Sequence, residues 1–178
     1  QSEAIIGQNR AWHISTKNSY IPDGQSAVYS WQLLKKPVGS LLTVNPADPL
    51  LFELRPDIPG QYEIVLGLRT GLAVSYDTLR TYVNASPIAI ISAPLTAKFA
   101  KDVEADASSS SDLENDPLKY RWQITTPSGA VKIIDFGTQA KTRLFADAAG
   151  KYLVELTVRD GYSESTPVTA EISVDFTP

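Results

Sequence analysis

The chain of 178 residues has no cysteine, no methionine and one histidine. Without cysteine there is no disulfide framework, no thiol nucleophile and no thiolate metal site. A cluster of histidine ligands is excluded as well, and imidazole catalysis would have to run through His13 alone. The missing methionine marks the chain as a processed form or as a section of a longer protein. Apolar runs are short, and none approaches the roughly 18 residues of a membrane span. Positive charge is in deficit: 16 Lys and Arg stand against 20 Asp and Glu, a net charge of −4. A nucleic-acid partner would call for a basic excess, so none is expected. What remains is ordinary for a folded protein, with 43% hydrophobic and 20% charged residues, and its 12 Pro and 10 Gly point to many turns.

The chain repeats itself. Tyr29-Ser30-Trp31 returns as Tyr120-Arg121-Trp122, at an offset of 91. The run from Pro56 to Tyr62 (Pro-Asp-Ile-Pro-Gly-Gln-Tyr) returns from Ala146 to Tyr152 (Ala-Asp-Ala-Ala-Gly-Lys-Tyr), at an offset of 90. Leu66, Leu68, Arg69 and Gly71 match Leu156, Val158, Arg159 and Gly161, and Val83 matches Val174. Two anchors half a module apart that keep nearly one offset imply two copies of one unit, residues 1–85 and 86–178. The joint is the short Asn84-Ala85-Ser86-Pro87, which leaves little room for a hinge.

Each copy reads as β. Tyr62, Ile64, Leu66 and Leu68 alternate with more polar neighbours, as do Tyr152, Val154, Leu156 and Val158. Such a period of two marks a strand with one buried face. Residues 28–33 and 118–124 follow the same pattern. Further strands are expected at 5–8, 12–14, 50–54 and 76–83 in the first copy. In the second they are expected at 88–92, 102–105, 131–134, 143–145 and 168–174. Turn signals such as Pro22-Asp23-Gly24, Pro37-Val38-Gly39, Pro59-Gly60, Pro127-Ser128-Gly129 and Asp160-Gly161 separate them. Several short strands per copy, with Trp31 or Trp122 on a central one, predict an all-β chain of two tandem immunoglobulin-like sandwiches.

The second copy also carries the stretch from Ser111 to Trp122 (Ser-Asp-Leu-Glu-Asn-Asp-Pro-Leu-Lys-Tyr-Arg-Trp), then Gly150-Lys151-Tyr152, then Val158-Arg159-Asp160-Gly161. This resembles the polycystic kidney disease (PKD) domain, with its S-x-D-x-D-G-D-x-L-x-Y-x-W stretch, P-x-G-x-Y strand and V-x-D-G end. The first copy is similar through Tyr29-Ser30-Trp31, Pro37-Val38-Gly39 and Gly60-Gln61-Tyr62. The resemblance covers nearly the whole chain and implies the same sandwich. It also implies a non-catalytic module, found in bacterial and other surface or secreted proteins as a spacer, adhesion unit or substrate-binding aid. Export to the cell surface, the extracellular space or the periplasm follows from it.

Six acids lie between positions 102 and 116, namely Asp102, Glu104, Asp106, Asp112, Glu114 and Asp116. The first copy balances 7 basic against 7 acidic residues, while the second has 9 against 13 and so carries the whole net charge. Acids at alternating positions can converge on calcium, which takes about six to eight oxygen ligands. The resemblance names Asp112, Asp116 and Asp160 as candidate ligands, with Asn84 or Ser86 nearby. Glu114 stands for one family Asp and Asn115 for its Gly. The competing reading is a solvated acidic loop in which Asp116 caps a turn. In the first copy only Asp23-Gly24 matches, with Ile21 and Gln25 where acids would stand, and no ion is expected there.

Catalysis has no visible equipment. Ser108 to Ser111 is a loop tract, His13 lies in the other copy on the outer face of its strand, and no carboxylate pair is placed in an apolar cleft. Among aromatics, Trp12, Trp31, Trp122, Tyr62 and Tyr152 are assigned to packing. Tyr20, Tyr76, Tyr82, Phe136 and Tyr162 remain, and Tyr82 and Tyr162 are the expected exposed rings for binding. The leading reading is a non-enzymatic spacer, adhesion or protein-interaction segment of a longer chain, with no required cofactor. The alternative is an accessory module that holds the carbohydrate or protein substrate of a secreted hydrolase. The partner in either case is a protein or polysaccharide surface.

Overall fold

The computed structural model describes residues 4–7, 10–17, 19, 21, 26–44, 48 and 50–176. The expected turn at Pro22-Asp23-Gly24, together with Gln8, Tyr20 and Gln25, lies outside them. Among the described residues all regular elements are strands, and contacts divide the chain into two compact units, Gln1–Ala85 and Ser86–Pro178. No helix among the described residues is long and apolar enough to cross a membrane.

The described residues of the first unit form the strands β1 (Ala4–Gly7), β2 (Trp12–Ser15), β3 (Ala27–Lys35), β4 (Leu51–Leu54), β5 (Gly60–Thr70) and β6 (Ala73–Asn84). One sheet runs β1-β6-β5-β3 and the other pairs β2 with β4. The second unit has seven: β7 (Thr96–Lys98), β8 (Asp102–Asp106), β9 (Lys119–Thr125), β10 (Val131–Gly137), β11 (Lys141–Phe145), β12 (Gly150–Arg159) and β13 (Val168–Asp175). Its sheets are β10-β9-β12-β13-β7 and β11-β8. In both units the first strand of the larger sheet pairs parallel to the last, β1 on β6 and β7 on β13. This is the layout of an immunoglobulin-like sandwich.

Alternation places one side chain in two between the sheets. In the first unit Ile14, Trp31, Phe52, Leu54 and Ile64 form the core, with the Trp31 and Phe52 rings stacked at 5.1 Å. Trp12 packs against this cluster from a half-buried position. The second core is larger and centres on Trp122, Tyr152, Val154, Leu156, Val158 and Ile172, with Val103 and Leu144 from the smaller sheet.

The repeat recurs in three dimensions. Tyr62 and Tyr152 are buried near the starts of β5 and β12, and each hydroxyl reaches back to the corner before its strand. Tyr152 Oη accepts the Ala148 N–H at 2.9 Å and donates to Asp147 Oδ1 at 2.7 Å. Tyr62 Oη lies 3.0 Å from Asp57 Oδ1 and 2.9 Å from the Ile58 carbonyl, and accepts the Ile58 N–H at 3.4 Å. Gly60 and Gly150 open these strands at φ of +125° and +123°, a region that side chains disfavour. A Cβ there would stand 2.8 Å from Pro37 Cγ or 3.0 Å from Pro127 Cβ. Each glycine thus lets its strand pass under the proline of the preceding turn.

The change of offset from 91 to 90 has a physical site. Leu33 pairs with Ile64 and Lys35 with Glu63, so Leu34 is an unopposed bulge residue. In the second unit Ile124 pairs with Val154 and Thr125 with Leu153, with no residue between.

One expected strand is absent. Residues 88–92 make only isolated bridges, Ile88 to Ser111 and Ser92 to Asp106. Between them the Ser110 hydroxyl accepts the Ile90 N–H at 3.0 Å and donates to the Ile90 carbonyl at 3.2 Å, in the place of a backbone partner. After Pro94 the chain leaves β8 and joins the other sheet as β7, which the sequence reading missed.

Candidate functional site

The acidic stretch does not form one cluster. Glu104 and Asp106 project from β8 toward cations on β11. Lys141 Nζ lies 3.0 Å from both Glu104 and Asp106, and Arg143 lies 3.2 Å from Glu104. Lys141 and then Arg143 hold the Glu104 carboxyl below its ordinary value. The Ser108 hydroxyl and N–H, followed by Lys141, hold Asp106 at about 2.

Asp112 opens the next loop. Its Oδ1 accepts the N–H groups of Glu114 and Asp116, each at 3.0 Å, as a turn cap. Asn115 sits at φ +62°, so it supplies the left-handed turn for which the resemblance implies glycine. Asp160 is buried in the loop after β12, and its own loop satisfies it. Oδ1 accepts from Tyr162 N–H at 2.7 Å and Ser163 N–H at 2.8 Å, and Oδ2 from the Ser163 hydroxyl at 3.3 Å. Asn84 is the buried last residue of β6.

Among the described residues no group of three or more Asp, Glu or His side chains is placed to hold a metal ion. Asp112 Oδ2 is buried without a hydrogen-bond partner. The alternating spacing that suits a ligand set also suits a carboxylate that caps its own loop.

The two candidate rings belong to different units. Tyr82 is 41% exposed on the outer face of β6, level with Ile5 of β1 and Gln61 of β5. Tyr162, expected to be exposed, is half-buried, and its N–H donates to Asp160 Oδ1. Tyr76 is exposed on β6 and lies over Gly67, whose added Cβ would meet its ring at 3.3 Å. His13 is exposed, with Nδ1 3.6 Å from Glu53.

One constellation escaped the sequence reading. Lys119 and Arg121 share the outer face of β9, and Arg159 is the register partner of Lys119 on β12. The Arg159 guanidinium carbon stands 4.1 Å from the centroid of Phe136, and that of Arg121 stands 5.5 Å away. A groove of ≈ 430 Å³ beside them is lined by Pro117, Lys119, Arg159, Asp160 and Gly161. Charge totalled over the whole copy concealed these cations. The usable signal was the alternation of Lys119 and Arg121 on a predicted strand.

No protein-family model matches the chain, and no curated relative does. Among solved structures it is similar to extracellular domains 3–5 of Drosophila OTK, with a TM-score of 0.51 and 9% identity over 97% of this chain and 59% of that one. It is also similar to fibronectin(III)-like modules of Clostridium thermocellum CbhA (TM-score 0.47, 16% identity, 97% and 90% covered). A titin fragment gives a TM-score of 0.48 at 11% identity, with 97% and 62% covered. The OTK likeness supports the fold alone, and the other two add no argument.

Proposed function

We propose that the chain is a non-catalytic extracellular segment of a larger surface or secreted protein. In this reading its two PKD-like modules, residues 1–85 and 86–178, serve as a spacer or protein-interaction unit and require no cofactor. The observation that carries the reading is where the reactive side chains are spent. Asp57, Asp147, Tyr62 and Tyr152 hold the strand corners, and Asp112 and Asp160 hold their own loops. The OTK domains of similar fold are extracellular, and the same setting is proposed here. The exposure of Tyr82 supports a second reading, an accessory module that holds a hydrolase substrate.

Retention of the whole chain on chitin, cellulose and collagen separates the two, measured with and without calcium. A spacer shows no saturable retention, and added calcium leaves its melting transition in place. Saturable retention that is lost in Tyr82→Ala or Tyr162→Ala would replace the spacer with the accessory module.

A further inference from the structure

Three cations of the second unit are paired with acids. Lys141 and Arg143 are paired with acids on β8, and Lys151 is paired with Glu171 at 2.9 Å. Lys119, Arg121 and Arg159 make no salt bridge among the described residues, although they stand together on one sheet face. Asp160 is turned into its loop with both oxygens engaged, and Glu155 on the same face of β12 and Glu164, the bridge partner of Arg159, border the three cations without a salt bridge to them.

We propose that this face binds an extended acidic peptide segment of a partner protein that runs along β9, with carboxylates at alternate positions seated on Lys119 and Arg121 and with Arg159, across from Lys119, closing on the same carboxylate as Lys119. Charge complementarity sets the class of partner, and spacing sets its form. Residues two apart on a strand lie about 6.6–6.8 Å apart, which is also the separation of acidic side chains at alternate positions of an extended peptide. Phe136 contributes by order. Stacking on its ring restrains the guanidinium planes and leaves their N–H edges for two-point contact with a carboxylate. A ring face covered by Arg159 is poorly placed to stack on a sugar, which favours a carboxylate-bearing peptide over a polysaccharide. The proposal adds to the spacer reading and does not depend on it. A chain that binds no anion would sink the proposal and leave that reading standing.

The test is fluorescence anisotropy of the whole chain with a labelled peptide of alternating Glu and Thr, against its Gln and Thr counterpart, at low salt. The Glu peptide is expected to bind and the Gln peptide not, with binding weakened by added salt. Arg121→Gln and Arg159→Gln are each expected to weaken it by at least about fivefold. Lys151→Gln, at the other end of β12, is expected to leave it unchanged. Melting curves report whether each variant is folded. Should the Gln variants unfold, Arg121→Lys and Arg159→Lys keep the charge, lose the fork, and are expected to weaken binding. Equal binding of the Glu and Gln peptides overturns the proposal, as do Arg variants that bind like the parent. Binding of polygalacturonate without binding of the Glu peptide overturns it too and assigns the face to a polysaccharide.

Discussion

Asp57 shows how a side chain that looks chemical is spent on the fold. The Ser40 hydroxyl donates to its Oδ1 at 2.6 Å, the Leu41 N–H to its Oδ2 at 2.6 Å, and the Tyr62 hydroxyl to Oδ1 at 3.0 Å. Ser40 above all, then Leu41 and Tyr62, hold the carboxyl at about 2 against an ordinary value of 3.8, over the opposing effect of burial. A pKa lowered by folding means the charged form favours the folded chain. Its stabilising share is complete above the unfolded value and is lost as pH falls through the folded one. The melting temperature of Asp57→Asn is therefore expected to lie furthest below that of the parent near neutrality. The gap should narrow as acid is added from about pH 5 toward about pH 2. A gap that does not change with pH would contradict this role. The repeat of Asp57 at Asp147 was legible in the sequence, and so was the matching Tyr. The bonds between them were not, because a D-x-x-G-x-Y run does not say where the hydroxyl points. Asp112 makes the same point more sharply, since its spacing to Glu114 and Asp116 describes a ligand set and a self-capping loop equally well.

At the scale of the element, alternation was the strong signal. It placed β3, β5, β9 and β12 because each buries one face, and a slip of one residue would turn that face to solvent. Residues 88–92 lacked that protection. Their pairing is carried in part by a serine hydroxyl, and Pro94 ends it, so composition suggested a strand where the backbone makes two bridges. The drift in repeat offset was also visible in the sequence, whereas its location at Leu34 needed the register. That location can be tested by deletion. Removing Leu34 gives β3 the straight pairing of β9 and is expected to keep the first unit folded, with a change of no more than about 4–8 °C in Tm. Removing Ser30 instead shifts Tyr29 and Ala27 against Trp31 and Leu33, and is expected to abolish the first unit's transition. Equal effects of the two deletions would contradict the assignment of the bulge.

On the scale of the whole molecule, the net charge of −4 proved a poor guide to surfaces. Some acids of the second unit are neutralised on β8 and some are turned into loops, while Lys119, Arg121 and Arg159 stand together on the other sheet. A sum over residues cannot show this, because it depends on which strand faces each side chain. The repeat, in contrast, survives every change of scale. It is present in the sequence offset, in the paired corners of Tyr62 and Tyr152, and in the two sandwiches of like topology. Each copy is proposed to fold as a module by itself, and the second copy tests this most directly. Residues 86–178 expressed alone are expected to melt in one cooperative transition, with Trp122 fluorescing from an apolar site as it does in the whole chain. A fragment without a cooperative transition, or with Trp122 in water, would contradict it.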